Sequence, residues 1–154
     1  MDMLPLITQA AHTIMADLGA GYSESCYQNA LFNTIAKFDP SAQKEFTIHV
    51  IYDDQLIGTC RADIVTGQYV IEVKATRTMP PQVGHQIRKY LVNLYRQDQI
   101  TRSGIIINFN QESERAEIIM QSADERVTIL KKRRQPSEAA PHDIRPVDPR
   151  PDPI

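Results

Sequence analysis

At 154 residues and 17.5 kDa the chain holds enough material for one hydrophobic core and too little for two full domains. Its 42% hydrophobic and 23% charged residues are those of an ordinary globular protein, which excludes global disorder and fibrous repeats. The formal charge of -2 and pI near 6.1 give no overall basic signature of a nucleic-acid partner, but residues 1–130 carry eleven basic and fifteen acidic residues against six and four in the remainder.

Ile7, Ala11, Ile14, Met15 and Leu18 recur at helical spacing, and Gly19-Ala20-Gly21 stops that first helix. Ser23 is a good N-cap for a second helix with an apolar face of Tyr27, Leu31, Thr34, Ile35 and Phe38, ended by Asp39-Pro40. Strand alternation follows over residues 45–52, with Asp53-Asp54 as a turn into a strand over 55–65 and Thr66-Gly67-Gln68 leading into a third over 69–75. Pro80-Pro81 breaks the chain before a third helix striped by Val83, Ile87, Tyr90, Leu91 and Leu94. Residues 104–109 form a nearly all-apolar run, the mark of a strand covered on both faces; a last strand over 116–120 and a short segment near 127–130 finish the body. The order ααβββαββ predicts an α/β fold with a mixed sheet, in which the helix between the third and fourth strands makes a crossover onto a parallel partner.

Six of the ten prolines fall in the last nineteen residues, behind Lys131, Lys132, Arg133 and Arg134. The expected division is therefore a folded domain over 1–130 and, over 131–154, a basic junction with a Pro-rich tail too poor in large apolar side chains to order itself. Cys26 and Cys60 are too few for a secreted disulfide framework and are expected to be reduced and buried. No signal segment, membrane-length apolar window or zinc spacing is evident, so an intracellular, cytoplasmic protein without membrane contact is expected.

Asp63, Glu72 and Lys74 stand out. Alternation along residues 69–75 puts Glu72 and Lys74 on one face of an otherwise apolar strand, and a hairpin closing at 66–68 brings Asp63 beside Glu72. Two close carboxylates repel each other, and a hard divalent cation between them turns that repulsion into binding; Mg²⁺ fits best, with Mn²⁺ as a substitute. Such a metal activates water and neutralises phosphoryl charge, while a neighbouring lysine orients the water or stabilises the pentacoordinate phosphate. A Glu-x-Lys pair is also what a solvated surface ion pair worth less than about 1 kcal/mol looks like, so these residues alone leave a purely structural reading open.

Further residues join them. Gly21-Tyr-Ser-Glu24-Ser-Cys-Tyr27 behind Leu18-Gly19-Ala20, then Gly58, Arg61-Ala-Asp63, Ile71-Glu72-Val-Lys74-Ala, Gln86 with Tyr90-Leu91, and the run over 104–109 together resemble the GxxExxY proteins, a branch of the PD-(D/E)XK nuclease superfamily. The resemblance spans about residues 5 to 120, with Ala20 and Ala62 where the pattern has prolines. It implies a restriction-endonuclease-like core of order αβββαβ. It also implies metal ligation by Asp63 and Glu72, with Lys74 serving the nucleophilic water, Glu24 reaching the site as a further ligand from the second helix, and Gln86 reaching it from the third. Tyr27 is expected in the core with its hydroxyl satisfied, and Tyr90 shares the helix face of Gln86.

Arg61, Arg77 and Arg88 are expected to contact phosphates near the cleft, since an acidic nuclease body must concentrate positive charge locally. The cluster Lys131, Lys132, Arg133 and Arg134 would add phosphate affinity or act as a nuclear import signal in a eukaryotic setting. The leading expectation is a Mg²⁺-dependent nuclease acting on DNA; the alternative is a non-catalytic nucleic-acid-binding or assembly module that keeps the fold. Oligomeric state stays open, a homodimer being one option.

Overall fold

In the computed structural model, which describes residues 1–122 and 125–134, the chain begins with α1 (Leu4–Leu18), whose Pro5 sits in the first turn where no backbone donor is lost. Gly19 caps it at φ 69°, its N–H donating to the Met15 carbonyl. Helix α2 (Glu24–Ala36) starts where the Ser23 side chain accepts from the Cys26 N–H. The hairpin of β1 (Gln43–Tyr52) and β2 (Gln55–Val65) turns on Asp53 and Asp54, both at positive φ (49° and 57°), the left-handed pair that matches strand twist in a tight hairpin. Strand β3 (Tyr69–Lys74), α3 (Val83–Asp98), β4 (Ser103–Phe109), β5 (Ala116–Gln121) and α4 (Glu125–Arg134) complete the order.

The five strands form one sheet in the order β1-β2-β3-β4-β5, antiparallel except for the parallel pair β3/β4 joined through α3. The pleat sends Ile71, Val73, Ile105, Ile107 and Phe109 toward α1 and α2, where they meet Ile7, Ala11, Met15, Tyr27, Leu31 and Ile35. The opposite face presents Val70 and Ile106 to Val83, Ile87, Leu91 and Leu94 of α3. Gly104 is what lets α3 lie close: a Cβ there would stand 2.8 Å from Ile87 Cδ1.

The structure departs from the sequence expectations at four places. The segment near 127–130 belongs to a helix, α4, which packs Val127 and Leu130 on Val92 and Tyr95 of α3; a boundary at residue 130 falls inside it. Leu18 and Phe38, counted on apolar helix faces, are 38% and 58% exposed. Both cysteines are free as expected, but Cys26 is exposed and Cys60 only half-buried. The hairpin end reads as strand yet leaves Ile51, Tyr52, Leu56 and Ile57 exposed, because β2 pairs with β3 only at its far end. The Pro-rich segment from residue 135 on lies outside the described residues. Among the described residues no helix is long and apolar enough to cross a membrane.

Candidate active site

The site arises where β2 and β3 stop pairing. Their ladder holds only Ile64 with Ile71 and Val65 with Val70. The next rung would set Asp63 opposite Glu72, and there side chains take over from the backbone. Asp63 Oδ2 accepts from the Val73 N–H at 2.8 Å, and Glu72 Oε1 accepts from the Asp63 N–H at 3.2 Å. Each carboxylate is fixed by one oxygen, and no hydrogen bond among the described residues reaches Asp63 Oδ1 or Glu72 Oε2.

Glu72 is 2% exposed. Burial, then the charge of Asp63, pushes its carboxyl up to about 8 against the pull of the Asp63 N–H and of Lys74. Burial likewise raises Asp63, with Glu24 and Glu45 adding repulsion and the Val73 N–H and Lys74 opposing it. The two acids therefore form a desolvated, mutually repelling pair, the electrostatic condition that a cation relieves.

Lys74 extends from the last position of β3, its ammonium 3.9 Å from Glu24 Oε1. Glu24 occupies the first turn of α2, where the helix N-terminus favours its charge. The loop after Lys74 is pinned by buried Asn108 on β4, whose Oδ1 accepts from the Thr76 N–H and whose Nδ2 donates to the Thr76 carbonyl. Across the opening, Gln86 Nε2 donates to the Tyr90 hydroxyl at 2.6 Å. Burial and the nearby Glu72 push that hydroxyl up to about 12, so it stays protonated beside the acids.

Asp63, Glu72, Lys74 and Glu24 thus come together, with Gln86 at the rim through Tyr90. Glu24 is drawn to Lys74, and among the described residues no three His, Cys, Asp or Glu side chains converge tightly enough to hold a metal by themselves. The donor set nonetheless suits a hard divalent ion: two rigid carboxylates with one spare oxygen each, needing backbone carbonyls or waters to complete the shell.

Tyr27 is fully buried, stacked 4.6 Å from Phe109, and its hydroxyl donates to the Gly19 carbonyl at 2.7 Å. Gly21, at φ 104°, donates its N–H to Gln111 Oε1 at 2.7 Å. The spacing of Gly21, Glu24 and Tyr27 is therefore one device: a glycine that turns the chain, an acid at the site, and an anchor that fixes the turn to the core.

Other expected residues fare differently. The Arg61 guanidinium pairs with Glu45 at 2.8 Å, and Arg88 donates to His85 Nδ1 at 2.6 Å. Arg77 is exposed, and Lys131, Lys132 and Arg133 are exposed on α4, which packs on the C-terminal half of α3. Sequence reasoning missed Gln28 and Glu45. Gln28 Nε2 donates to Glu45 Oε1 at 2.8 Å and to the Asp63 carbonyl at 3.3 Å, bracing the strand that carries Asp63. The signal for Gln28 was its place one helical turn after Glu24; nothing local marks Glu45, a non-glycine at φ 52°.

The model of one protein family, the PD-(D/E)XK nuclease superfamily, matches residues 1–120, a span that contains every residue of this constellation. The five-stranded mixed sheet between helices is consistent with a restriction-endonuclease-like fold. No curated protein matches the chain.

Proposed function

Because the chain belongs to the PD-(D/E)XK nuclease superfamily, we propose that it is a divalent-metal-dependent nuclease hydrolysing phosphodiester bonds of DNA, in the GxxExxY branch. The observation that carries the reading is the Asp63–Glu72 pair, held by each other's strand and buried with spare oxygens beside Lys74. Such an arrangement is unfavourable as a fold element alone, since two desolvated acids share one patch.

Asp63 and Glu72 are the ligands in this reading, with Glu24 on the rim as a further carboxylate. When bound there, Mg²⁺ or Mn²⁺ supplies Lewis acidity toward the phosphoryl oxygen and lowers the pKa of water. Lys74, held by Glu24, presents N–H donors to the attacking water and to the charge that develops on the phosphate. The Gln86–Tyr90 pair offers neutral hydrogen-bond donors on the far side of the opening. The Asn108 clamp on Thr76 keeps Lys74 in place without touching the reaction.

Calorimetric titration with Mg²⁺ and Mn²⁺ tests the reading. Binding that Asp63→Ala removes supports it; the same heat in Asp63→Ala, or none in the wild type, leaves a nucleic-acid-binding module in place of an enzyme.

A further inference from the structure

A cleft of about 650 Å³ opens beside Lys74 and Gln86 and runs along α3, under the β1–β2 hairpin, to Asn93. Its walls differ from the rest of this acidic protein. Lysines Lys74 and Lys89 and the ring of His85 line it, and among the described residues no carboxylate does. Arg88 donates to His85 Nδ1, which leaves the ring N–H on Nε2. Val50, Val83 and Tyr90 supply apolar surface between these polar groups. At the inner end, Asn93 Nδ2 donates to the Lys89 carbonyl at 2.8 Å, and its Oδ1 is buried with no partner, the single such side-chain atom among the described residues. Past Asn93 a second cavity of about 710 Å³ is lined by Asp53 and Asp54 together with His49 and Arg96, so the carboxylate-free stretch stops there.

We propose that this cleft receives one unpaired nucleotide next to the scissile phosphodiester, which makes the substrate single-stranded or locally unpaired DNA. The inference rests on the nuclease reading and adds the strand state to it. The volume lies within the roughly 300–1,000 Å³ of pockets that enclose a small-molecule-sized group. Glu72 is only 2% exposed, so the bond to be cut must be brought down into a recess. A stacked, paired nucleotide cannot follow it there without leaving its helix, and an unpaired one loses no pairing by doing so. Lys89 and the His85 Nε2–H face the phosphate, and the apolar walls take the base.

The test measures binding of the full chain, by fluorescence anisotropy in Ca²⁺, to short labelled oligodeoxynucleotides that are single-stranded, fully paired, or paired with a one-nucleotide bulge. The single strand and the bulged duplex are expected to bind at least about tenfold more tightly than the paired duplex. Val50→Trp, which fills the cleft, and Lys89→Glu, at an exposed position that the fold does not need, should each remove most of that difference. Equal affinity for all three DNAs, or a difference that survives both substitutions, overturns the proposal. Hydrolysis of bis(para-nitrophenyl) phosphate, a diester too small to need the cleft, separates the two levels. Turnover of this diester without strand preference overturns the cleft alone. Strand preference without turnover of any diester overturns the nuclease reading and leaves the cleft standing.

Discussion

The two faces of β3 sit only one residue apart in sequence and have opposite characters. Toward α1 and α2, Ile71 and Val73 are fully buried among aliphatic neighbours and the Tyr27–Phe109 stack. Toward α3, Glu72 is equally hidden but charged or protonated according to its surroundings, and Lys74 borders a cleft of about 650 Å³. The closed face contributes stability that the open face does not: burying an acid beside another acid is unfavourable, and the aliphatic layer behind the strand offsets it. The comparison teaches that in this fold the cost of the site is local, carried by a few residues on one face of one strand.

The comparison breaks most sharply at Lys74. Lys74→Ala is expected to lower cleavage by about 10²–10⁴-fold, the range for losing a positioned proton-handling group, while Mg²⁺ affinity measured by calorimetry stays near wild type because an ammonium is not a ligand. Loss of cleavage and metal affinity together would show that Lys74 organises the acids as well.

On the closed face, Ile107→Ala should destabilise the protein by about 2–5 kcal/mol, read by urea unfolding, since it removes a fully buried side chain between α1, α2 and the sheet. Glu72→Gln on the open face should do the reverse at pH 8, because it deletes the charge and keeps the shape.

The pH dependence sharpens the same contrast. Glu72 in the folded state is raised from 4.5 to about 8, so the native protein retains a proton that the unfolded chain has already released. The contribution of Glu72 to the stability of the metal-free protein is then fully present below the ordinary glutamate range and is lost as pH rises toward 8, by up to about 1.4 kcal/mol per pH unit. Melting temperatures in chelator should decline across that window in the wild type and stay flatter in Glu72→Gln. Added Mg²⁺ should restore more at the alkaline end than at the acid end. A melting temperature that rises with pH through this window contradicts the assignment.

The smallest effect is expected at Tyr27. Tyr27→Phe keeps the stack on Phe109 and removes the hydroxyl that donates to Gly19 and accepts from Gln111, a loss of about 0.5–1.5 kcal/mol by thermal unfolding. Its cleavage should drop modestly through the Gly19–Gly21 turn that sets the start of α2 and hence Glu24.

Much of this was legible in the sequence, because the decisive signals are local. Gly19 and the Asp53-Asp54 pair act through their own backbone and Ser23 through a side-chain hydrogen bond three residues on, and each does in the structure what its type predicts. The alternation that put Glu72 and Lys74 on one face is likewise a property of a single strand. What escaped depends on contacts between distant segments. Among its described side chains helix α4 buries little beyond Val127 and Leu130, and its sequence is otherwise crowded with charge, so its period is faint. Gln28 and Glu45 meet only because α2 packs on β1, and the ion pair of Arg61 with Glu45 likewise joins two strands and has no local signal. The mutual capture of backbone N–H groups by Asp63 and Glu72 is invisible in composition, since it requires two strands to part at one rung.

Cleavage of end-labelled DNA in Mg²⁺, followed side by side for the wild type and Asp63→Ala, tests the central claim most directly. The wild type should cut, stop on addition of chelator and resume with Mg²⁺ or Mn²⁺, and Asp63→Ala should be inert under every condition. Cutting that persists in Asp63→Ala, or a wild type that leaves single-stranded and duplex DNA intact with both metals, contradicts the account.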